Sequence, residues 1–181
     1  MHESNADDQD RLQEIVADFR TAMLVTTGDD GRLNARPMTV VNRGAAAEKA
    51  GVESPPDMLL FITNSDSELA AELLRTPSVS ITMQDGARYV AMNATVRLDR
   101  DPATLRALWS KAWDVWFAGG VDDPTATLIH CEVSKAEYWD VSGTDAVRFS
   151  IEFARALVTG TTMRPERAGQ HGVVDQPLGT A

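Results

Sequence analysis

Hydrophobic and polar positions alternate along this chain with two different periods. Over residues 8–21, Leu12, Ile15, Val16 and Phe19 recur at helical spacing, so the pattern predicts a helix with one apolar face. Residues 22–27 are strand formers. Gly28, Asp29, Asp30 and Gly31 make a turn, and residues 33–41 return as the second strand of a hairpin. Pro37 inside that second strand points to an edge or a bulge. Residues 44–56, rich in Ala, Gly, Glu and Pro, predict a long surface loop with room for a helical turn through the alanines. Residues 58–63 predict a buried strand, and 65–75 a short helix stopped by Pro77.

Two further strands, 79–83 and 89–98, flank the Asp85-Gly86 turn. Asp101-Pro102 opens a helix with an acidic cap and proline at its first position. That helix is expected to carry Leu105, Leu108, Trp109, Ala112, Trp113 and Trp116, and to end at Gly119-Gly120. Residues 127–133 predict a strand, 136–141 another, and 146–158 a helix. Residues 1–8 and 161–181 are expected to be a disordered N-terminus and a flexible tail around one domain at 9–160. Strands that follow one another through turns imply a mostly antiparallel sheet, closed into a small barrel with helices attached.

Composition narrows the partners. With 17 basic and 27 acidic side chains the formal net charge is -10, which opposes nucleic acid and anionic membrane surfaces. The apolar runs are too short to cross a bilayer, and no apolar leader follows the N-terminus. The single cysteine, Cys131, suits a reducing compartment, so a cytoplasmic location is expected.

Side-chain chemistry is sparse. No Cys/His cluster has metal-ligand spacing, and no nucleophile elbow, Walker loop or dinucleotide fingerprint is present. His130 and Cys131 are neighbours on a strand and face opposite ways, so they form no dyad. Catalysis, if any, then falls to a cofactor. Three stretches can hold one. Arg36 within Arg36-Pro37-Met38-Thr39 can bond a phosphate or carbonyl while Met38 packs on a flat ring; equally, these are an edge arginine and a core methionine. Thr63, Asn64, Ser65 and Ser67 surround a helix start, where an anion is favoured. The same residues also fit plain capping, with Ser65 and Glu68 at capping-box spacing. Trp109, Trp113 and Trp116 at helical spacing read as core or dimer interface, with Trp116 and Trp139 more open to a ligand.

In this order, several pieces resemble the pyridoxamine 5'-phosphate oxidase-like FMN-binding split-barrel proteins of the general stress protein 26 group. They are residues 20–26, Gly31-Arg32, Arg36-Pro37-Met38, Phe61-Ile62-Thr63-Asn64, Asp66-Ser67, residues 116–120 with Asp122-Asp123-Pro124, and residues 136–140. The resemblance implies a six-stranded split barrel and a homodimer binding FMN between subunits, with a flavin-dependent redox role in stress response. It implies that Arg36, Pro37, Met38 and Thr39 line the flavin, with Ile62 and Asn64 alongside, and that Thr63 and Ser67 hold its phosphate. Trp116 and Trp139 are placed near the ring or the interface. Two positions usually basic in such proteins are Leu69 and Ser65 here, and a usual glycine is Ala94. A non-catalytic flavin, deazaflavin or heme binder, or a barrel without cofactor, stands as the alternative.

Overall fold

In the computed structural model, residues 3–52, 57–140 and 170–174 are described. Helix α1 (Glu3–Asp18) precedes a hairpin of β1 (Thr21–Thr27) and β2 (Leu33–Thr39). Helix α2 (Ala45–Ala50), strand β3 (Met58–Asn64) and helix α3 (Glu68–Arg75) follow. Strands β4 (Ser78–Asp85) and β5 (Arg88–Asp99) lead to helix α4 (Pro102–Leu108), two 3-10 turns, β6 (Ala126–Asp140) and β7 (Gln170–Val174).

The strands form one antiparallel sheet in the order β2-β1-β4-β5-β6-β3, with β7 also paired to β6. It curls into a half-barrel with flanking helices, as expected, with β7 added to the six strands. β2 lies at an edge, where Pro37 is tolerated. The hairpin turn uses Gly31 at φ +78°, a conformation that costs other residues a clash at Cβ.

The curl brings the two ends of the sheet together. Beyond β2, the Val41 N–H donates to the Leu60 carbonyl of β3 at 2.9 Å. The Asn42 side chain accepts from Leu60 N–H at 2.8 Å and donates to the Met58 carbonyl at 2.9 Å. Leu24, Ile81, Leu59, Phe61, Ile129 and Cys131 fill the interior, and Leu12, Ile15, Val16 and Phe19 of α1 pack into the same cluster.

Four elements differ from the expectation. Helix α1 starts at Glu3, so residues 3–8 are helical where disorder was expected. Asp8 is tied to the sheet by the Tyr138 hydroxyl at 2.9 Å, and Arg11 by Asp140 of β6, which anchors these turns. Residues 170–174, expected in the tail, pair along β6 as β7. The two strands expected at 127–133 and 136–141 are one, because a bulge skips Ser134 between the Ala94–Val133 and Asn93–Lys135 pairs. The extra residue moves the inward positions from Cys131 and Val133 to Ala136 and Tyr138, which breaks the alternation without breaking the strand. Finally, the helix expected through Trp116 stops at Leu108. Trp109 is extended, and Ser110 caps a 3-10 turn at Lys111–Val115, so the three tryptophans do not share a helix face. The helix expected at 146–158 lies outside the described residues. No helix among the described residues is long and apolar enough to cross a membrane.

The docking of α1 is open to test at Gly172. A Cβ there would run into the Tyr138 ring and the Asp8 carboxylate. Gly172→Ala is therefore expected to cost about 1–3 kcal/mol of stability, the usual range for overpacking. Urea denaturation checks this, and an unchanged midpoint would show that the contact is not tight.

Candidate functional site

Where β2 and β3 diverge from their tie at Val41 and Leu60, they leave a cavity of about 530 Å³. Its first wall is β2, with Pro37, Met38 and Thr39, continued by Val41. Its second wall is the end of β3 and the start of α3, with Ile62, Thr63, Asn64 and Ser67. Trp113, Trp116 and Phe117, from the segment after α4, form the third. The sheet alone would leave a groove; the aromatic segment gives it depth. Trp109 fixes that segment by edge-on packing against Trp113 at 5.5 Å and Phe117 at 5.3 Å. Trp116 stands at the rim, 77% exposed.

The polar end is built by local hydrogen bonding. Asn64 Oδ1 accepts from the Asp66 N–H at 2.7 Å, turning the chain out of β3. Ser67 is the N-cap of α3: its Oγ accepts from Ala70 N–H at 3.1 Å and donates to the Asn64 carbonyl at 2.6 Å. The capping box expected from Ser65 is not made, because Glu68 is the first helical residue and not the third. Thr63 Oγ1 lies 3.3 Å from Ser67 Oγ. Two hydroxyls therefore meet where α3 leaves N–H groups without partners inside the helix.

Of the expected site residues, Pro37, Met38, Thr39, Ile62, Thr63, Asn64, Ser67 and Trp116 come together around this cavity. Arg36 and Trp139 do not line it. Arg36 reaches across to α3. Its Nη1 donates to Glu72 Oε2 at 2.7 Å and to Thr26 Oγ1 at 3.0 Å, and its Nη2 donates to Glu72 Oε1 at 3.1 Å and to Glu68 at 3.4 Å. Glu72 is buried, and also accepts from Thr26 and from Asn34, each at 2.6 Å. The Arg36 guanidinium, helped by these two donors, holds the Glu72 carboxyl down to about 2 against the opposing effect of burial. Trp139 sits in β6 between Tyr89 and His171, stacked on His171 at 5.3 Å.

Leu69, at a position usually basic in the proteins this chain resembles, is buried in the main core, so its side chain is turned away from solvent. Ser65 is exposed and donates to Asp66. Ala94 is buried at the β5–β6 bulge. Val41, Trp113 and Phe117 also line the cavity and are not among the expected site residues. By spacing Trp113 belongs to the expected helix stripe, and the signal against that placement is Ser110, a capping residue inside the stripe.

The lining holds no ionisable side chain. The cavity can bind and orient, but it offers no acid, base or nucleophile of its own. Elsewhere, Cys131 is buried and its thiol is pushed up to about 12 by that burial, while His130 Nδ1, on the other face of β6, accepts from the Arg97 guanidinium at 3.0 Å. Among the described residues no group of three or more metal-ligating side chains occurs.

A family model described as pyridoxamine 5'-phosphate oxidase like matches residues 7–164. A putative general stress protein 26 from Jannaschia sp. CCS1 is 24% identical with a TM-score of 0.65, over 94% of this chain and 99% of that one. A putative general stress family protein from Xanthomonas campestris pv. campestris is 28% identical with a TM-score of 0.58, over 76% of this chain and 90% of that one. A general stress FMN/FAD binding protein from Xanthomonas citri is 26% identical with a TM-score of 0.59, over 76% and 92%. No curated protein gives a match.

Proposed function

The chain belongs to the pyridoxamine 5'-phosphate oxidase-like family, and from that premise we propose that it is a homodimeric flavoprotein holding FMN in the cavity between β2 and β3. The observation that carries this reading is the polarity of the cavity. One end presents the Thr63 and Ser67 hydroxyls at a helix start, and the rest is apolar and aromatic. A ligand with a flat ring system and a terminal phosphate has that same division. The volume lies within the roughly 300–1,000 Å³ of small-ligand sites. Met38 and Ile62 would bear on the ring, and Trp116 would cover its edge. Thr63, Ser67 and the first N–H groups of α3 would hold the phosphate.

When bound, the flavin supplies hydride or electron transfer. The chain's own part is to orient the ring, exclude water with Trp113 and Phe117, and balance the phosphate charge with hydroxyl and amide dipoles. A general stress role is part of the proposal, supported by what the similar structures are called. The absence of any ionisable lining group favours one second reading, a flavin-holding sensor that passes no electrons to a substrate.

The homodimer is supported by the outer face of β2, β1 and β4. Ala35, Pro37, Met23, Val25, Ser80 and Thr82 occupy that face with no charged side chain among them, in a chain of net charge -10. Solvated sheet faces normally carry charges, and interfaces lose them.

The test is the visible spectrum of the purified protein, followed by FMN titration under fluorescence. Saturable binding at micromolar Kd or tighter is expected, with reduction by NAD(P)H separating the enzyme from the sensor. No binding at high FMN would sink the flavin reading. Within it, Thr63→Val removes one hydroxyl without touching the cap. One charge-assisted hydrogen bond is worth about 1.5–3 kcal/mol, so FMN affinity is expected to fall tenfold or more while riboflavin affinity holds.

A further inference from the structure

The cavity's two main walls belong to the first and last strands of the sheet path, β2 and β3, which share no strand-to-strand pairing along the cavity. Something other than the β ladder must set their separation. At one end, the tie is Val41 to Leu60, reinforced by Asn42. At the other, it is the Arg36 side chain, leaving β2 to grip Glu72 and Glu68 of α3. Glu68 directly follows Ser67, the residue that carries the polar end of the cavity. Glu72 lies one helical turn further on.

The grip is specific in its geometry. Both guanidinium Nη atoms meet both Glu72 oxygens, at 2.7 and 3.1 Å, the planar two-point contact that an ammonium cannot make. Thr26 of β1 and Asn34 of β2 complete the carboxylate's shell, so α3 is held to the β1–β2 hairpin by three side chains at one point.

We infer that Arg36 and Glu72 are positioning residues: the pair sets the distance between β2 and the start of α3 and so aligns the Thr63 and Ser67 hydroxyls across the cavity from Pro37 and Met38. This deepens the flavin reading and rests on it. It also assigns Arg36 a task other than direct contact with a phosphate. A phosphate at Ser67 would compete for a guanidinium whose Nη groups already bond Glu72, Thr26 and Glu68.

The experiment compares Arg36→Gln, Glu72→Gln and the double variant, each titrated with FMN and with riboflavin. Both single variants are expected to lose FMN affinity about tenfold, more than they lose riboflavin affinity, because the phosphate end of the cavity loses its alignment. The double variant is expected to be no worse than either single one, since a joined pair acts as one unit. Glu72→Gln binding FMN as tightly as the wild type, while Arg36→Gln loses it, would overturn the inference, because a freed arginine would then be the phosphate ligand. Unchanged affinity in all three would also overturn it.

Amide hydrogen exchange of the ligand-free chain gives a second readout. Exchange over residues 70–75 is expected to quicken in both single variants, and unchanged exchange would count against the clamp. If the wild type binds neither flavin, the flavin reading falls, while the exchange result still decides whether the pair holds α3. Should a glutamine variant fail to fold, Thr26→Val and Asn34→Ala each remove one donor to Glu72 and keep the ion pair. A smaller FMN-over-riboflavin loss, about two- to three-fold, is expected of them because Glu72 is held less firmly, and no loss in either would count against the clamp.

Discussion

Arg36→Met is expected to destabilise the protein by about 3–5 kcal/mol at neutral pH, the cost of leaving one half of a buried ion pair behind. The charge left behind is Glu72, only 3% exposed, with Thr26 and Asn34 as its remaining donors. The effect carries a pH signature that a simple packing loss lacks. In the wild type the Glu72 carboxyl is held down from its ordinary 4.5 to about 2, chiefly by Arg36. A depressed carboxyl contributes stability above its unfolded pKa. That contribution, about 3 kcal/mol for such a shift, is lost as pH falls from 4.5 towards 2. In Arg36→Met the chief cause of that depression is gone and burial opposes the two donors that remain, so little of this contribution is left to lose. The variant's deficit relative to wild type is therefore largest at pH 7 and shrinks below pH 4.5. Urea denaturation of both proteins at pH 7 and pH 3.5 measures this. An equal deficit at the two values would show that Glu72 is not the group Arg36 serves.

That pair also marks how far the sequence could be read. The hairpin, β3, the cap at Asp101 and the strand and turn residues of two cavity walls were legible, because each depends on local alternation or on residues a few positions apart. Pro37, Met38, Thr63 and Ser67 were identified within their own strand and turn, and the cavity assembles them. Arg36 and Glu72 are separated by 36 positions, and nothing local in either names the other. Their meeting depends on how the sheet curls, which a linear pattern does not carry. Arg36 alone reads as an available phosphate ligand; only the fold reveals its prior engagement. The Ser134 bulge was hidden for another reason. A single unpaired residue reverses the inward parity, and a reversed parity looks like a strand end. Ser110 is a third case, where one cap inside a run of apolar residues outweighs their helical period. The anchored turns at 3–8 escaped because their anchors, Tyr138 and Asp140, lie at the far end of the chain.

Ser67→Asp isolates the electrostatics of the polar end. Aspartate caps a helix as well as serine does, so α3 and its N-terminus are expected to stay in place and thermal stability to change little. What changes is a full negative charge beside the Thr63 hydroxyl, in a cavity with no ionisable lining group to offset it. Asp66 and Glu68 already flank the position and add to the same sign. Two unit charges about 4 Å apart repel by about 4 kcal/mol at an effective dielectric of 20, before screening, and a phosphate carries more than one charge. FMN affinity is therefore expected to fall at least a hundredfold, whereas riboflavin, with no phosphate, is expected to bind within a few-fold of its wild-type affinity. Raising the salt should recover part of the FMN loss, since this part of the cavity opens to solvent. Parallel fluorescence titrations of the two flavins at low and high salt measure the whole pattern. Equal losses for FMN and riboflavin would place the ring, not the phosphate, at Ser67 and would reverse the orientation of the ligand in the cavity. Unchanged binding of both would remove the helix start from the site altogether.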